Sequence, residues 1–272
     1  MRSVEEKILP IVDKPYLQKN GRYYFNKQPP EHHPSNFDTD INRLKTFLKR
    51  WPIFYEFLRL FSPGISGFPF TARRAFQTAF AVGELKQRIT INLGSGPRVI
   101  HPSIFNADIY PFANVDIIID GEQLPFKDSS LDMVICESVL EHVGRRDLII
   151  NEIVRTIKPN GYLYVVVPFI YPYHDSPRDY FRWTKTGLEK DFASFTVIKA
   201  GVYAGPAAAL QGVLMHLLAI PLSLGYNKLY IFWTNFFRFL LAPIKLLDFG
   251  LNFLPRAHEA AAVIYFFGQK RQ

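Results

Sequence analysis

The chain has 272 residues, of which 48% are hydrophobic and 15% aromatic, so it can bury a sizeable core in one large domain or one domain with appendages. Its formal net charge is +8 and its pI is about 9.4, which suggests a membrane surface, an acidic substrate or nucleic acid as partner. The basic residues form isolated pairs, without a Lys/Arg block or a zinc-finger or RNP-type motif. Nucleic-acid binding is therefore disfavoured.

Cysteine usage indicates the compartment. Cys136 is the one cysteine of the sequence, which excludes an intrachain disulfide and a multi-cysteine metal site. The first residues, MRSVEEKILPIV, lack the long apolar core of a signal peptide. We therefore expect a cytoplasmic protein.

Residues 1–70 are rich in proline and aromatic residues and show no sustained period, so we interpret them as an N-terminal extension. The pair His32-His33 lies in a loop-like stretch without partners at metal-ligand spacing, and we expect no metal site. Ile41–Phe61 alternates apolar and basic residues at roughly helical spacing, interrupted by Pro52. This pattern predicts two amphipathic helices that lie on the core or on a membrane surface.

Strands and helices alternate from about residue 71 to residue 201, which predicts a mainly parallel sheet with helices on both faces, within a domain of residues 71–272. The predicted strands are Thr90–Leu93, Phe105–Asp108, Val115–Ile119, Met133–Cys136, Tyr162–Val167 and Thr196–Lys199. The predicted helices are Ala72–Leu85 and Arg146–Ile157, the second ended by the stop signal Lys158-Pro159-Asn160-Gly161.

The chain becomes very apolar over residues 202–254, which we call the apolar insertion. Two segments are nearly long enough to span a bilayer, but each contains polar residues or a proline, such as Gln211 in the first and Arg238 in the second. Helices lying in a membrane interface are favoured, with Arg238 and Lys245 reaching toward water beside Trp233. A buried cap over the sheet and true spanning helices remain as alternatives. The segment Ala261–Lys270 predicts a last strand.

A glycine turn follows the first predicted strand, in the stretch INLGSGP. Gly94 and Gly96 let the backbone approach a ligand closely, because no side chain intervenes. Dinucleotide-binding folds use a third glycine and a helix N-terminus to receive a diphosphate, whereas here Pro97 and Arg98 follow at once. A ligand without phosphates, such as a nucleoside, fits this turn better than NAD or FAD.

Acidic residues follow the next three strands. Asp108, Asp120 and Glu137 each lie at the carboxyl end of a predicted strand, where open α/β sheets bind their ligands. A carboxylate at Asp108 can accept the hydroxyl protons of a ribose, and one at Asp120 can receive an adenine amino group. The three residues together with the glycine turn predict a nucleoside site.

Four stretches of the chain, taken together, resemble the class I S-adenosylmethionine-dependent methyltransferases: INLGSGP, NADIYP, DGEQLPFKDSSLDMVICESVLEHV and EIVRTIKPNGYLYVVVP. The resemblance is strong over Ile89–Pro168 and weaker up to the final strand. It implies a Rossmann-like α/β fold with a seven-stranded, mainly parallel sheet. The last strand, Ala261–Gly268, would run antiparallel beside Thr196–Lys199.

The resemblance also implies how S-adenosylmethionine is bound. The implied contacts are Gly94, Ser95 and Gly96 for the methionine part, Asp108 for the ribose, Asp120, Gly121 and Glu122 for the adenine, and Glu137 and Ser138 near the methionine end, with His142 at the start of the following helix. One departure concerns the segment from Gly96 to Asp108, which is too short for the ordinary helix and strand. A loop containing Pro97 and Pro102 is expected in place of that helix.

The segment PFIYPYHDSPRDYFRWTKTGLEKDF follows the fifth strand and, in this fold, faces the methyl group. His174 beside Asp175 could act as a general base on an acceptor hydroxyl, with Tyr180 nearby. Alternatively, Asp175, Arg178 and Arg182 form ion pairs that hold the loop. Arg178 and Arg182 could instead bind an acidic acceptor.

The sequence thus predicts an S-adenosylmethionine-dependent methyltransferase that acts on a small-molecule, lipid-linked or amphiphilic acceptor. The apolar insertion and the basic charge suggest a peripheral enzyme at the inner face of a membrane. Two other functions remain open: a non-catalytic nucleoside-binding module and an NAD(P)-dependent oxidoreductase on a similar sheet.

Overall fold

A computed structural model describes residues 3–25, 63–64, 66–67, 69–174 and 178–272. Three sequence predictions lie outside these residues: the pair His32-His33, the helices of Ile41–Phe61, and the role of Asp175.

A sheet of nine strands forms the centre of the described structure, in the order β1-β2-β5-β4-β3-β6-β7-β9-β8. β3 to β7 pair in parallel, and β9 runs antiparallel to both of its neighbours. The seven strands from β5 to β8 therefore confirm the predicted sheet and its antiparallel last strand. The strands are β1 Leu17–Lys19, β2 Arg22–Tyr24, β3 Thr90–Leu93, β4 Phe105–Asp108, β5 Ile117–Ile118, β6 Leu131–Glu137, β7 Ile157–Pro168, β8 Phe195–Ala204 and β9 Val263–Lys270.

Helices cover both faces of the sheet. They are α1 Val4–Lys7, α2 Ala72–Ala79, α3 Arg146–Thr156, α4 Lys185–Asp191, α5 Pro206–Leu222, α6 Asn227–Leu240 and α7 Asp248–Leu251, with 3-10 turns at Leu9–Ile11, Leu140–His142, Ala242–Leu247 and Ala257–Glu259. Successive residues of a strand point to opposite faces. Val134 and Cys136 accordingly join the core under α3, while Met133 and Ile135 join the core under α2.

Several predicted elements have different bounds. β6, β7 and β8 are longer than predicted, and β7 begins at Ile157 and so includes the predicted stop signal. Two elements are clearly shorter. The first helix ends at Ala79 instead of Leu85, because Phe80 already adopts an extended backbone. The third predicted strand shrinks from five residues to Ile117–Ile118, where pairing with β4 is confined to two positions. Neither difference moves a residue of the predicted site.

The N-terminal extension contributes a hairpin that the sequence analysis missed. Asn20 and Gly21 turn the chain between β1 and β2 with φ angles of 51° and 71°, the combination that a two-residue hairpin turn requires. β2 then pairs in parallel with β5, so that Tyr23 lies opposite Ile117. The sheet therefore has two more strands than the seven expected.

A loop replaces the helix that ordinarily joins β3 to β4, as expected from the short spacing. Residues 96–104 contain no regular helix. Side-chain amides fasten this loop instead: Asn114 Nδ2 donates to the carbonyls of Gly96 and Arg98, each at 3.0 Å. The turn after β3 is thereby held against the end of β4.

The apolar insertion folds into α5, α6, the turn Ala242–Leu247 and α7. α5 and α6 share a small core of Met215, Ala219 and Phe237. Lys245 is only 6% exposed, so the expectation that it reaches toward water is wrong. Among the described helices, none combines the length and apolar character needed to cross a membrane.

Candidate active site

A cavity of about 460 Å³ lies at the carboxyl ends of β3, β4, β5 and β6. Six predicted site residues line it: Gly94, Gly96, Asp108, Asp120, Gly121 and Ser138. The other lining residues are Leu93, Pro97, Ile109, Tyr110, Phe112, Ile119, Val139, His142, Val143 and Ile149. Its position matches the usual ligand site of open α/β sheets.

Both the backbone conformation and the neighbouring side chain require a glycine at position 94. Its φ is +68°, and a Cβ added there would lie 2.2 Å from the Val139 side chain. The N–H groups of Gly94 and Ser95 both donate to the Ala107 carbonyl, at 2.8 and 3.1 Å. The turn is thus tied to β4, and Ser95 itself is buried outside the cavity lining.

Asp108 is the buried acid of the cavity. Its two carboxylate oxygens accept N–H groups of Gly96 and Tyr110, at 2.8 and 2.9 Å. Burial raises the pKa of the Asp108 carboxyl above its ordinary value, although the backbone N–H groups around it act in the opposite direction. A carboxylate has about four acceptor sites, so further hydroxyl donors such as those of a ribose can still bind.

The turn after β5 separates two neighbouring acids. Asp120 lines the cavity and accepts the N–H of Glu122 on Oδ1 at 3.0 Å. A Cβ on Gly121 would lie 2.6 Å from Ile149 of α3, so glycine lets this helix pack close to the turn. Glu122 is not part of the lining, since its carboxylate accepts from Arg145 Nε at 2.9 Å.

The two residues predicted after β6 also differ in position. Glu137 pairs with Arg98 at 3.1 Å and does not line the cavity. Ser138 does line it and has a φ of +54°, an unusual value for a residue with a side chain. Such strained residues are concentrated at ligand sites.

The sequence analysis missed the apolar walls of the cavity. Tyr110 and Phe112 follow Asp108 directly, and Val139, Val143 and Ile149 come from the other side. Ligand pockets are mostly apolar with a few placed polar groups, which suits a nucleobase. The available signal was the position of Tyr110 and Phe112 immediately after the predicted ribose acid.

The segment between β7 and α4, residues 169–184, is the predicted acceptor loop. His142 lines the cavity, and its ring lies 4.9 Å from the ring of His174 in this loop. His174 Nδ1 lies 3.2 Å from Asp179 Oδ2, an acid that the sequence analysis did not pair with it. Tyr180 is 47% exposed and its ring lies against Gly144.

Arg182 forms an ion pair that holds the loop, as the second alternative of the sequence analysis predicted. Its partner is Asp179, a residue which that alternative did not include. Arg182 donates to both carboxylate oxygens of Asp179 and to the carbonyls of Tyr171 and Pro172. Burial alone would raise the pKa of Asp179. The hydrogen bonds from Arg182 and the His174 N–H outweigh burial, and the pKa lies below its ordinary value. Arg178 is exposed and presents its carbonyl, rather than its side chain, to His142.

The strand order is consistent with a Rossmann-like methyltransferase fold, and the cavity lies where open α/β sheets bind their ligands. A family model described as a methyltransferase domain matches residues 108–165, the stretch from Asp108 to the middle of β7. These residues therefore match a methyltransferase domain, in agreement with the predicted class I S-adenosylmethionine-dependent methyltransferase. The match favours this class over an NAD(P)-dependent oxidoreductase. Among curated proteins, none matches the chain significantly.

Solved structures show low similarity to this chain. The 1,6-didemethyltoxoflavin-N1-methyltransferase of Burkholderia thailandensis is 12% identical, with 96% of this chain and 100% of that one covered and a TM-score of 0.40. Phosphoethanolamine N-methyltransferase 2 of Haemonchus contortus is 14% identical, with 74% and 57% covered and a TM-score of 0.44. The YcgJ protein of Bacillus subtilis is 14% identical, with 72% and 96% covered and a TM-score of 0.42.

Proposed function

We propose that this protein transfers the methyl group of S-adenosylmethionine to an amphiphilic or lipid-linked acceptor that binds beside residues 169–184. One observation carries the cofactor part of the proposal. Gly94, Asp108 and Asp120 converge on one cavity at the carboxyl ends of four adjacent strands. These are the groups that close backbone approach, ribose binding and adenine binding require.

The cavity suits a nucleoside that carries no phosphate. The backbone at Gly94 would lie against the methionine part, Asp108 would accept the ribose hydroxyls, and Asp120 would accept the adenine amino group. Tyr110 and Phe112 supply apolar walls for the base. Pro97 follows the turn directly, so the site lacks the helix N-terminus that receives a diphosphate in dinucleotide folds.

Methyl transfer is an in-line displacement: the acceptor atom bonds to the methyl carbon while the carbon–sulfur bond breaks and leaves S-adenosylhomocysteine. Placing the two reactants in line supplies much of the rate. His142 and the loop of His174 and Tyr180 adjoin the cavity and would place the acceptor. The proton that an acceptor hydroxyl or amine loses would pass to His174, the general-base candidate of this loop, or to solvent water.

The acceptor class is inferred from the apolar insertion. In the described part of the chain, 27 large hydrophobic side chains are exposed, and 18 of them lie between residues 210 and 254. Exposed apolar surface of this density is typical of a membrane or protein contact. The insertion also adjoins the acceptor loop, since a Cβ on Gly212 of α5 would lie 3.1 Å from Pro172. An acceptor with an apolar tail could therefore bind along the insertion while its head reaches the cavity.

Calorimetric titration with S-adenosylmethionine and S-adenosylhomocysteine tests the cofactor site. We expect the wild-type protein to bind both, and Asp108→Asn to bind about 10-fold or more weakly because hydrogen bonds to a charged acceptor contribute about 1.5–3 kcal/mol. Asp147→Asn is the matched control, since that side chain is 84% exposed on α3. A folded wild-type protein that binds neither nucleoside would overturn the proposal.

The acceptor is tested with methyl-labelled S-adenosylmethionine, supplied with either a total lipid extract or an aqueous metabolite extract. We expect enzyme-dependent label in the organic phase. Label found with the aqueous extract alone would retain the methyltransferase and exclude the lipid-linked acceptor.

A further inference from the structure

Three potential metal ligands converge beside the cofactor cavity: Glu141, His142 and His174. One ligand atom from each lies within 4.8 Å of the others. Glu141 Oε1 is 3.9 Å from His142 Nε2 and 3.7 Å from His174 Nε2. The two imidazoles thus face the same carboxylate oxygen.

Glu141 is fully buried, and neither of its carboxylate oxygens has a hydrogen-bond partner. A buried carboxylate without hydrogen bonds is unfavourable, and such groups are normally paired or bound to a metal. The Glu141 backbone carbonyl does form a hydrogen bond, because it accepts the Tyr180 N–H at 2.7 Å. The side-chain carboxylate is therefore the part of Glu141 that lacks a hydrogen-bond donor.

A hydrogen bond orients the His142 ring, and Asp179 lies behind His174. His142 Nδ1 lies 2.6 Å from the Arg178 carbonyl, so it carries the hydrogen and donates it. His174 Nδ1 lies 3.2 Å from Asp179 Oδ2 without forming a hydrogen bond, and the same oxygen accepts the backbone N–H of His174 at 2.9 Å. The contact of His142 with the Arg178 carbonyl leaves a lone pair on His142 Nε2, which lies 3.9 Å from Glu141 Oε1. Metal-binding histidines are oriented in the same way, by a carbonyl or carboxylate on the other ring nitrogen.

We propose that Glu141, His142 and His174 bind one divalent first-row transition-metal ion, such as Zn²⁺, Mn²⁺ or Fe²⁺. Imidazole nitrogen favours these ions, whereas Mg²⁺ and Ca²⁺ prefer all-oxygen sites. Bonds of about 2.0–2.1 Å place two tetrahedral ligand atoms roughly 3.3 Å apart. The observed 3.7 and 3.9 Å exceed this by about half an ångström, which small side-chain rotations close.

The position of the ion bears on the acceptor, and this step rests on the proposed methyl transfer. His142 lines the cofactor cavity, so the ion lies between the cavity and the acceptor loop. Three protein ligands leave at least one coordination position open. An acceptor that presents an oxygen atom fits this position, and His174 is then a metal ligand in place of a free general base.

Direct metal titration tests the site. The full chain, freed of any histidine tag and stripped with a chelator, is titrated with Zn²⁺ by calorimetry and with Co²⁺ by visible absorption. We expect one ion per chain. His174→Gln is expected to weaken binding about 100-fold or more and to change the Co²⁺ spectrum, and Asp179→Asn about 10–100-fold. His258→Gln, in the turn Ala257–Glu259, is the control and should bind like the wild type.

Glu141→Gln provides a second ligand variant, but its burial makes a folding defect the competing explanation. His174→Gln avoids this, because the His174 side chain is 35% exposed. Equal Zn²⁺ and Co²⁺ affinities for wild type and His174→Gln would overturn the proposal. S-adenosylhomocysteine binding is measured in parallel: metal binding without nucleoside binding would retain the ion and reject the methyltransferase, and the reverse would reject the ion alone.

Discussion

The Gly96 N–H donates to Asp108 Oδ2 at 2.8 Å and thereby joins the turn after β3 to the end of β4. Most of the intervening loop lacks regular structure, because the helix that ordinarily connects these strands is missing. The predicted ribose acid is therefore oriented by the same turn that approaches the ligand. A ligand without phosphates makes no use of the missing helix N-terminus, so the loop does not impair this site.

Substitution of the two glycines in the turn separates steric from conformational effects. Gly94→Ala adds a Cβ 2.2 Å from Val139 at a φ of +68°, and we expect a loss of about 3 kcal/mol in the free energy of unfolding. Gly96→Ala has a φ of +53° but open space around the Cβ, so about 1 kcal/mol is expected. Urea unfolding measures both.

The same pair should differ in cofactor binding. Val139 lines the cavity, so its displacement by Gly94→Ala should weaken S-adenosylhomocysteine binding at least about tenfold, more than Gly96→Ala does. Equal losses in stability and affinity for the two variants would show that the contact with Val139 has no such role.

Strands that are buried on both faces were predictable from the sequence. Thr90–Leu93 and Phe105–Asp108 have the predicted bounds because every residue in them is buried and turn residues follow them closely. Gly94, Asp108 and Asp120 were recognisable for a related reason: the carboxyl ends of parallel strands meet at one edge of the sheet.

Tertiary contacts account for what the sequence did not reveal. Glu122 and Glu137 follow the expected pattern, yet Arg145 and Arg98 draw their carboxylates away from the cavity lining. The cluster around Glu141 joins neighbouring residues to His174, which is 32 positions beyond His142, so no spacing rule exposes it. The hairpin differs, because Asn20-Gly21 is a local signal that was overlooked.

Asp248 caps α5 from a distant part of the chain. The carboxylate is fully buried and accepts the N–H groups of Ala207 and Ala208 at 2.9 and 3.0 Å. Asp248→Ala should lower the free energy of unfolding by about 2–3 kcal/mol, because it leaves two buried donors without a partner. Asp147→Ala, at an exposed position, should change it by less than about 0.5 kcal/mol. Equal effects in urea unfolding would contradict the capping role.

Lys245 should make stability depend on alkaline pH. Burial lowers its pKa to about 8, although Asp248 acts in the opposite direction. The unfolded chain retains a pKa near 10.4, so it binds more protons than the folded chain between about pH 8 and pH 10. Stability from this group therefore rises with pH across that window, by about 2 kcal/mol between pH 7 and pH 10.

The variant Lys245→Met isolates this effect. The difference in unfolding free energy between the variant and the wild type should be largest at pH 7 and shrink by about 2 kcal/mol by pH 10. Lys228→Met, at an exposed lysine of α6, is the matched control for removing a lysine outside this buried environment. A constant difference for Lys245→Met would show that the buried lysine keeps its ordinary pKa.

The apolar insertion should bind membranes through its exposed side chains. Phe232, Leu240 and Leu247 are each more than half exposed, and a triple change to Ser removes apolar area without disturbing the buried core. Burying one such side chain contributes about 1.5–3 kcal/mol, so vesicle binding should weaken by at least about 10-fold even with shallow insertion. Co-sedimentation with vesicles of mixed neutral and anionic phospholipid measures this.

A second triple variant distinguishes membrane binding through the apolar insertion from non-specific binding through any exposed apolar residue. Leu17, Val82 and Val197 are exposed apolar residues outside the insertion, and their change to Ser should leave vesicle binding unchanged. Added salt should weaken the wild type only partly, since screening affects the attraction of basic residues to anionic lipid and spares apolar burial. If both triple variants bind like the wild type, or if salt alone abolishes binding, the apolar insertion does not enter the membrane, and a protein partner becomes the better explanation for its exposed surface.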